Sequence, residues 1–190
     1  MEKYLNKLEL KKMGFSKIGK NNKISSSLKT INFKGELGSN NRIDVDVILK
    51  GKVNFENNIH IARGCTLSGG KKGIYMSDFA TLSNYVQVFT TSDNYKAAAL
   101  SAATLNQNER KKYSKLYKGQ VKIGKNTIIG PLSIILPNTN IEDFVTISPL
   151  SVIYGRLEKG LFYSSFTSKK YKKNITKIEK LYKKYLFKRK

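Results

Sequence analysis

The amino-acid sequence predicts an all-β core, a parallel β-helix wound from six-residue repeats. An isoleucine recurs at every sixth position between residues 123 and 153, at Ile123, Ile129, Ile135, Ile141, Ile147 and Ile153. Four residues after each of the first five stands a small or β-branched residue, at Thr127, Ser133, Thr139, Val145 and Ser151. An α-helix would repeat apolar residues at intervals of three and four, and an isolated strand would alternate them. A short strand followed by a tight corner, three times per coil, satisfies a period of six instead, with the apolar residue inside and the small residue at the corner.

The same period continues towards the N-terminus with less regular spacing. Its apolar positions are Met76, Leu82 and Val88, then Phe55, Ile61 and Leu67, then Leu37, Ile43 and Leu49, and finally Ile18 and Ile24. Small residues follow at Cys65, Ala80 and Val86, and corner asparagines, which tolerate left-handed backbone, are expected at Asn126, Asn138 and Asn140. A glycine-rich turn at residues 68–73 and a protruding loop at about residues 95–119 interrupt the repeat. A loop of that length on a regular scaffold is usually functional.

Two flanking segments differ from the repeat. The predicted boundaries are 1–15 for an N-terminal helical cap, 16–158 for the β-helix and 159–190 for a basic C-terminal tail. The cap is predicted because Leu5, Leu8 and Met13 fall at helical spacing. Residues 171–189 have the pattern of a basic amphipathic helix. This helix is expected to pack as a cap on the last coil, and the alternative is a peripheral contact with an anionic membrane.

The composition narrows the class of protein and its partners. The 190 residues contain 36 Lys and Arg against 13 Asp and Glu, a formal net charge of +23, which favours anionic partners. Lysine is scattered evenly outside the tail, so no nucleic-acid partner is expected. One cysteine and one histidine exclude a disulfide framework and a multi-histidine site within one chain, and no metal is expected. Without a long apolar run or an apolar leader, a cytoplasmic location is expected, with the inner face of the membrane within reach of the tail.

Several segments resemble a known family. Residues 121–137 (Val-Lys-Ile-Gly-Lys-Asn-Thr-Ile-Ile-Gly-Pro-Leu-Ser-Ile-Ile-Leu-Pro) and 147–153 (Ile-Ser-Pro-Leu-Ser-Val-Ile) resemble the closing coils of hexapeptide-repeat acyltransferases. More specific resemblance, to the acetyltransferases of surface-polysaccharide and lipopolysaccharide clusters, lies at 13–15 (Met-Gly-Phe), 58–62 (Asn-Ile-His-Ile-Ala), 67–70 (Leu-Ser-Gly-Gly) and 91–95 (Thr-Ser-Asp-Asn-Tyr). The resemblance implies a left-handed parallel β-helix, a homotrimer with active sites between subunits, and acetyl-CoA as the acyl donor. The hand comes from the family alone, since a period of six does not set it.

The resemblance implies an acetyl-CoA-dependent O-acetyltransferase that modifies a sugar of a surface glycan, whether lipopolysaccharide, capsule or a precursor. A first alternative is an N-acetyltransferase acting on a nucleotide-linked amino sugar. One observation supports this alternative: residues 90–95 lack the histidine that the family usually carries there, and an amine needs less help from a base than a hydroxyl does. A second alternative is a catalytically weak β-helix that serves as a binding or scaffold protein. Two observations support it: residues 162–169 lack the glycine and proline of the family's turn, and the chain has a single histidine.

The chemistry needs a base, donors for the thioester oxyanion and a slot for the coenzyme arm. His60, the only imidazole of the chain, is predicted as the base, oriented by Asp93 of a neighbouring subunit. The alternatives are an outward polar residue at a subunit contact for His60 and a loop cap for Asp93. Contacts to the acceptor are predicted at Asn84, Ser92, Asn94 and Tyr95. The resemblance places cofactor contacts at Gly130, Pro131, Ser148, Pro149, Tyr154 and Gly155, with Lys169 and Lys170 near the nucleotide phosphates.

Overall fold

The chain folds as a left-handed parallel β-helix of about seven coils. The computed structural model describes residues 3–93, 106–164 and 171–172, together with residues 176, 179, 180 and 183. The helices are α1 (Lys7–Lys12) and α2 (Gln107–Tyr113). The strands are β1 Phe15–Ile18, β2 Lys23–Ile24, β3 Lys29–Leu37, β4 Arg42–Ile43, β5 Ile48–Phe55, β6 His60–Ile61, β7 Thr66–Met76, β8 Thr81–Leu82, β9 Gln87–Phe89, β10 Thr91–Asp93, β11 Leu116–Lys118, β12 Val121–Ile123, β13 Ile128–Ile129, β14 Ile134–Ile135, β15 Asn140–Ile141, β16 Thr146–Ile147, β17 Val152–Ile153, β18 Arg156–Leu157, β19 Leu161–Tyr163 and β20 Tyr171–Lys172.

Each coil runs along three sides of a prism. The first side contains β1, the later residues of β3, β5 and β7, and then β12, β15 and β18. The second side contains β2, β4, β6, β8, β13, β16 and β19 in that order, and the third contains β9, β14 and β17. The leading residues of β3, β5 and β7 lie on the third side, so these longer strands run round the corner from the third side to the first. All of these pairings are parallel.

The predicted inward positions stack in register, which confirms the β-helix. The register partners are Phe55, Met76, Ile123 and Ile141 on the first side, Ile61, Leu82, Ile129 and Ile147 on the second, and Leu67, Val88, Ile135 and Ile153 on the third. Most of these side chains are fully buried, and they form one continuous apolar core with α1 contributing Leu10 at its N-terminal end. Each coil therefore buries its apolar row against the next, and a single coil has no core of its own.

The corners follow the predicted pattern with one correction. Small residues at the corners are fully buried, among them Cys65, Ala80, Val86, Thr127 and Ser133. The residue before each of these buried corner residues has left-handed backbone. At two of the predicted corners this residue is an asparagine, Asn126 (φ 50°) before Thr127 and Asn138 (φ 61°) before Thr139. Asn140 is not a corner residue, because it opens strand β15 and pairs with Lys122.

Bulky apolar residues occupy left-handed corners that asparagine fills elsewhere. Tyr85, Leu132 and Leu150 have φ of 59°, 60° and 57° and form a column, here called the apolar corner, between the second and third sides. The column is stacked by backbone hydrogen bonds, in which Leu132 N donates to Asn84 O and Leu150 N donates to Pro131 O, at 3.0 and 2.9 Å. All three side chains are about half exposed, at 46%, 55% and 55%. No rule of the repeat requires large apolar side chains there.

The two interruptions of the repeat have structure of their own. The predicted loop begins earlier than expected, because β10 (Thr91–Asp93) pairs antiparallel with β11 and the two form a ribbon that leaves the third side. Helix α2 precedes β11 and is capped by Asn106 and Glu109. Residues 68–73, predicted as a turn, instead lie within the continuous strand β7, which bends where Gly70 and Gly73 have left-handed backbone.

The flanks are described in part. Helix α1 is capped by a box in which the Asn6 side chain accepts from Leu8 N and Glu9 N, and Glu9 accepts from Asn6 N at 2.7 Å. Most of the predicted amphipathic helix at 171–189 lies outside the described residues. Over the part of the chain that is described, no helix is long and apolar enough to cross a membrane.

Candidate active site

Asp93 stands at the end of the ribbon formed by β10 and β11. The register is Thr91 opposite Lys118, Ser92 opposite Tyr117 and Asp93 opposite Leu116. A backbone hydrogen bond from Gly119 N to Thr90 O, at 3.0 Å, fixes the base of the ribbon to the third side of the prism. Asp93 is half-buried, and the Ser92 hydroxyl donates to its carbonyl oxygen at 3.2 Å. The ribbon therefore holds a carboxylate beside the prism wall on a hydrogen-bonded support.

His60 lies on the second side, where its partner is Asp44. Nε2 of His60 is 3.0 Å from Oδ2 of Asp44, and Arg42 Nε donates to the other oxygen, Oδ1, at 2.6 Å. Burial raises the pKa of Asp44, but the hydrogen bonds from His60 and Arg42 outweigh it, so that the pKa lies below its usual value. A carboxylate only accepts hydrogen bonds, so Nε2 carries the hydrogen and Nδ1 of the neutral ring is the acceptor. Asp44 thus orients an imidazole that can take up a proton at Nδ1.

Within one chain, His60 and Asp93 do not share a surface. His60 projects from the middle of the second side, whereas Asp93 belongs to the ribbon that leaves the end of the third side. The pairing of these two residues therefore depends on a neighbouring subunit, and it stays a prediction. The partner that the chain itself supplies to His60 is Asp44.

The predicted acceptor contacts are spread over the corner and the ribbon. Asn84 is exposed at the apolar corner, and its carbonyl oxygen accepts from Leu132 N. Ser92 faces the side of the ribbon opposite to that of Asp93, because neighbouring residues of a strand alternate. Asn94 and Tyr95 lie outside the described residues. The structure therefore places Asn84 at the corner of the prism and Ser92 in the ribbon.

Four of the predicted cofactor residues come together at one corner. A β-carbon added to Gly130 would lie 2.4 Å from Pro149 N, so the two coils approach each other backbone to backbone there. Leu150 N donates to Pro131 O, and the buried Ser148 hydroxyl lies 3.1 Å from the Ser151 hydroxyl. The hydroxyl of Ser148 is thus engaged within the corner, and the surface that this corner offers a cofactor is largely backbone.

The remaining cofactor predictions fall elsewhere. Tyr154 is 74% exposed and Gly155, with φ of 80°, has open space around the position of a β-carbon. Both lie at the corner between the third and first sides, where Gly155 O accepts from Asn140 N at 2.8 Å. Lys169 and Lys170 are outside the described residues. The predicted set is therefore divided between two corners of the prism.

Sequence reasoning missed Asp44 and Arg42. The signal was present, because one coil takes 18 residues and Arg42 stands 18 residues before His60. That spacing pairs Arg42 with His60 on adjacent strands β4 and β6, and Asp44 directly follows strand β4.

Comparisons with known proteins place this chain among sugar acyltransferases. It is 32% identical over 157 residues to the dTDP-4-amino-4,6-dideoxy-D-glucose acyltransferase of Escherichia coli, covering 79% of this chain and 78% of that protein. It matches a solved variant of AntD, an N-acyltransferase from Bacillus cereus in complex with dTDP-4-amino-4,6-dideoxyglucose and coenzyme A, with TM-score 0.89, 32% identity and coverage of 99% and 100%. AntD in complex with dTDP and 3-hydroxybutyryl-CoA matches with TM-score 0.88, 34% identity and coverage of 99% and 98%.

More distant matches show the fold alone. The acetyltransferase domain of PglB from Neisseria gonorrhoeae has TM-score 0.56 at 11% identity, covering 78% of this chain and 56% of that one. No family model matches the chain.

These relatives correct one prediction. The relative from Escherichia coli is named as an acyltransferase of a dTDP-linked amino sugar, and AntD is named as an N-acyltransferase. The expectation of O-acetylation is therefore wrong, and the alternative of N-transfer to a nucleotide-linked amino sugar is the one that the comparisons support. The prediction of an acyltransferase that uses a coenzyme A thioester is confirmed at the level of the family. The chain belongs to the hexapeptide-repeat acyltransferases and, among them, to the family that contains these dTDP-amino-sugar acyltransferases.

Proposed function

We propose that this chain is an N-acyltransferase that moves an acyl group from a coenzyme A thioester to the amine of a dTDP-linked amino sugar. The observation that carries the proposal is the match to AntD over 99% of this chain, at 32% identity, in a complex that holds both the amino sugar nucleotide and coenzyme A. The match covers the ribbon with Asp93, the coil with His60 and the closing coils with the predicted cofactor residues.

Transfer to an amine suits the groups that this chain provides. The neutral nitrogen attacks the carbonyl carbon of the thioester, a C–N bond forms, the C–S bond breaks, the nitrogen loses one proton, and coenzyme A leaves as the thiol. A neutral amine is a better nucleophile than a hydroxyl group, so the step does not depend on a strong base beside the acceptor. The absence of a histidine from residues 90–95 of the sequence agrees with such an acceptor.

The candidate residues then have separate roles. Asp93, on the ribbon, contacts the acceptor amine and holds it towards the thioester. His60 of a neighbouring subunit, oriented by its own Asp44, takes the proton at Nδ1. Both roles require two subunits, because His60 and Asp93 lie on different sides of one prism.

The same proposal includes a homotrimer whose subunits meet at the apolar corner. Beside Tyr85, Leu132 and Leu150, the exposed side chains Ile128 (44%) and Val152 (58%) extend this apolar surface onto the second and third sides. Clustered exposed apolar residues on a soluble protein mark a contact surface. A closed three-fold assembly gives three equivalent sites.

An acceptor pair that differs by one group tests the function. The purified protein is incubated with acetyl-CoA and dTDP-4-amino-4,6-dideoxyglucose, thiol release is followed, and the amide is identified by mass spectrometry. The matched control is dTDP-6-deoxyglucose, which carries a hydroxyl in place of the amine. Turnover with the amine alone is expected. No turnover of the amine with either acetyl-CoA or 3-hydroxybutyryl-CoA would contradict the proposal, and the ratio of the two rates identifies the preferred acyl chain.

The basic tail is a separate question. The membrane contact predicted for residues 159–190 depends on residues that lie largely outside the described part, and it stays a prediction. Co-sedimentation of the full chain with anionic and with neutral vesicles tests it.

A further inference from the structure

A basic groove lies between helix α2, strand β11 and the bend of strand β7. The groove has a volume of about 710 Å³ and is lined by the cations Lys71, Arg110, Lys111 and Lys118. The other lining residues are neutral: Gln107, Ser114 and Leu116. A cavity of this size suits a small molecule, and its lining selects one with negative charge.

Three separate segments build the basic groove. Helix α2 turns Arg110 and Lys111 towards it, β11 contributes Lys118, and Lys71 comes from the bend of strand β7. The bend abuts the start of the ribbon, because a β-carbon added to Gly70 would lie 3.1 Å from Thr90 Oγ1 at its base and 3.8 Å from Thr91 Oγ1 within it. Residues far apart in sequence thus converge on a hydrogen-bonded frame.

Three of the four cations, the lysines Lys71, Lys111 and Lys118, form no ion pair with a described acid. Glu109, on the same helix as Lys111, uses its carboxylate to accept from Asn106 N at 2.9 Å. Several like charges held close together repel one another, so an anion bound between them would relieve that repulsion.

The groove and Asp93 lie on the same side of the ribbon. Residues directly opposite each other in an antiparallel pair share a face, so Asp93 shares one with Leu116, and Leu116 shares it with Lys118 two residues on. Leu116 and Lys118 line the groove. A ligand whose amine contacts Asp93 therefore has its further end within reach of Lys118, about 7 Å along the strand.

We infer that the basic groove binds the diphosphate of the nucleotide-linked acceptor while Asp93 holds its amine. In a 4-amino sugar nucleotide the amine and the diphosphate stand at opposite ends of the sugar ring, which matches the separation of Asp93 and Lys118. Lysine and arginine are the side chains that proteins use to bind phosphate. This inference rests on the proposed function for the identity of the acceptor.

Coenzyme A also carries a diphosphate, and calorimetry separates the two sources. Binding of dTDP and of coenzyme A is measured for the wild type, Lys111→Gln, Lys118→Gln and the double variant. The control is Lys12→Gln, which makes the same charge change at the exposed end of α1. Each groove variant is expected to raise the Kd of dTDP about 3- to 10-fold, since these lysines are exposed and partly screened. The double variant is expected to raise it about 20-fold or more, with coenzyme A affinity and the control unchanged.

Steady-state kinetics separate this inference from the proposed function. The groove variants are expected to raise the KM of the amino sugar nucleotide and to keep kcat within about 2-fold, because they bind the diphosphate and not the reacting atoms. Unchanged dTDP affinity in the double variant, or a loss confined to coenzyme A, would overturn the inference. If the wild type binds dTDP through these lysines yet acylates no amino sugar, the inference that the groove binds a diphosphate is supported and the proposed function is wrong.

Discussion

Replacing both leucines of the apolar corner by asparagine separates the stability of one chain from the stability of its assembly. Leu132 and Leu150 have left-handed backbone, which disfavours ordinary side chains by about 1–2 kcal/mol and asparagine by less. The fold uses Asn126 and Asn138 at other left-handed corners. In an isolated chain, each substitution is therefore expected to raise the free energy of unfolding by up to about 1 kcal/mol.

The assembly is expected to respond in the opposite direction. Complete burial of a leucine side chain contributes about 1.5–3 kcal/mol. Since 55% of each residue is exposed in the single chain, about half of that gain is left for subunit contacts. The six leucines of a trimer, two in each subunit, then contribute about 5–9 kcal/mol, which corresponds to several powers of ten in the dissociation constant.

Light scattering on a size-exclusion column, over a range of protein concentrations, measures the assembly, and urea unfolding of the dissociated chain measures stability. The matched control is the reverse change Asn126→Leu at a different edge, which is expected to destabilise the chain by about 1 kcal/mol and to leave the assembly intact. A double variant that stays trimeric at the lowest concentrations would refute the assignment of the apolar corner to the subunit contact. A double variant less stable than the wild type as a monomer would refute the argument about backbone strain.

Three further changes test other parts of the molecule. Gly130→Ala forces a β-carbon to within 2.4 Å of the next coil's backbone, so a loss of about 1–3 kcal/mol in urea unfolding is expected, and a loss under about 0.5 kcal/mol would contradict the close approach. The pKa of Asp44 is lowered in the folded chain, so its interactions stabilise above the unfolded value near 3.8 and are lost as the pH falls below it. The stability difference between the wild type and Asp44→Asn is therefore expected to shrink between pH 6 and about pH 3, and a constant difference would contradict it. Asp93→Asn and His60→Gln are each expected to lower kcat several tens-fold with unchanged thermal unfolding, and full activity of either variant would remove that residue from the site.

The fold could be predicted because each coil repeats one physical requirement. A single inward position and a single cramped corner recur every six residues, and both restrict the side chain strongly, as Ile129 and Thr127 show. Deviations were harder to predict where the backbone departs from this rule. Strand β7 continues through its glycines because neighbouring strands pair along it, and pairing of that kind is not visible in a local pattern.

The site was predicted less completely, because its residues lie on irregular segments or act through other coils. To predict the partner of His60, the length of one coil must be used to find which residues lie on the adjacent strand. That step identifies Arg42 opposite His60, with Asp44 close by. To predict the basic groove, the position of α2 relative to the β-helix must be known, because no periodicity of the sequence relates Lys71 to Lys118. The choice between an amine and a hydroxyl acceptor depends on atoms of the substrate, and the lack of a histidine at residues 90–95 was the sequence signal that pointed to the amine.

Bulky residues at left-handed corners are explained in two ways, by contacts within the chain or by contacts outside it. Phe144, at another edge, is buried, and Lys159 lies 5.4 Å from its ring centre, so contacts within the chain account for it. Leu132 and Leu150 are more than half exposed, so the reason for their size lies outside the chain. Each directly follows a pair of predicted cofactor residues, 130–131 and 148–149, whose backbones stack on each other. A subunit seated on the apolar corner would therefore line the cofactor segments with its own surface, and assembly and coenzyme A binding would be lost together in the double asparagine variant.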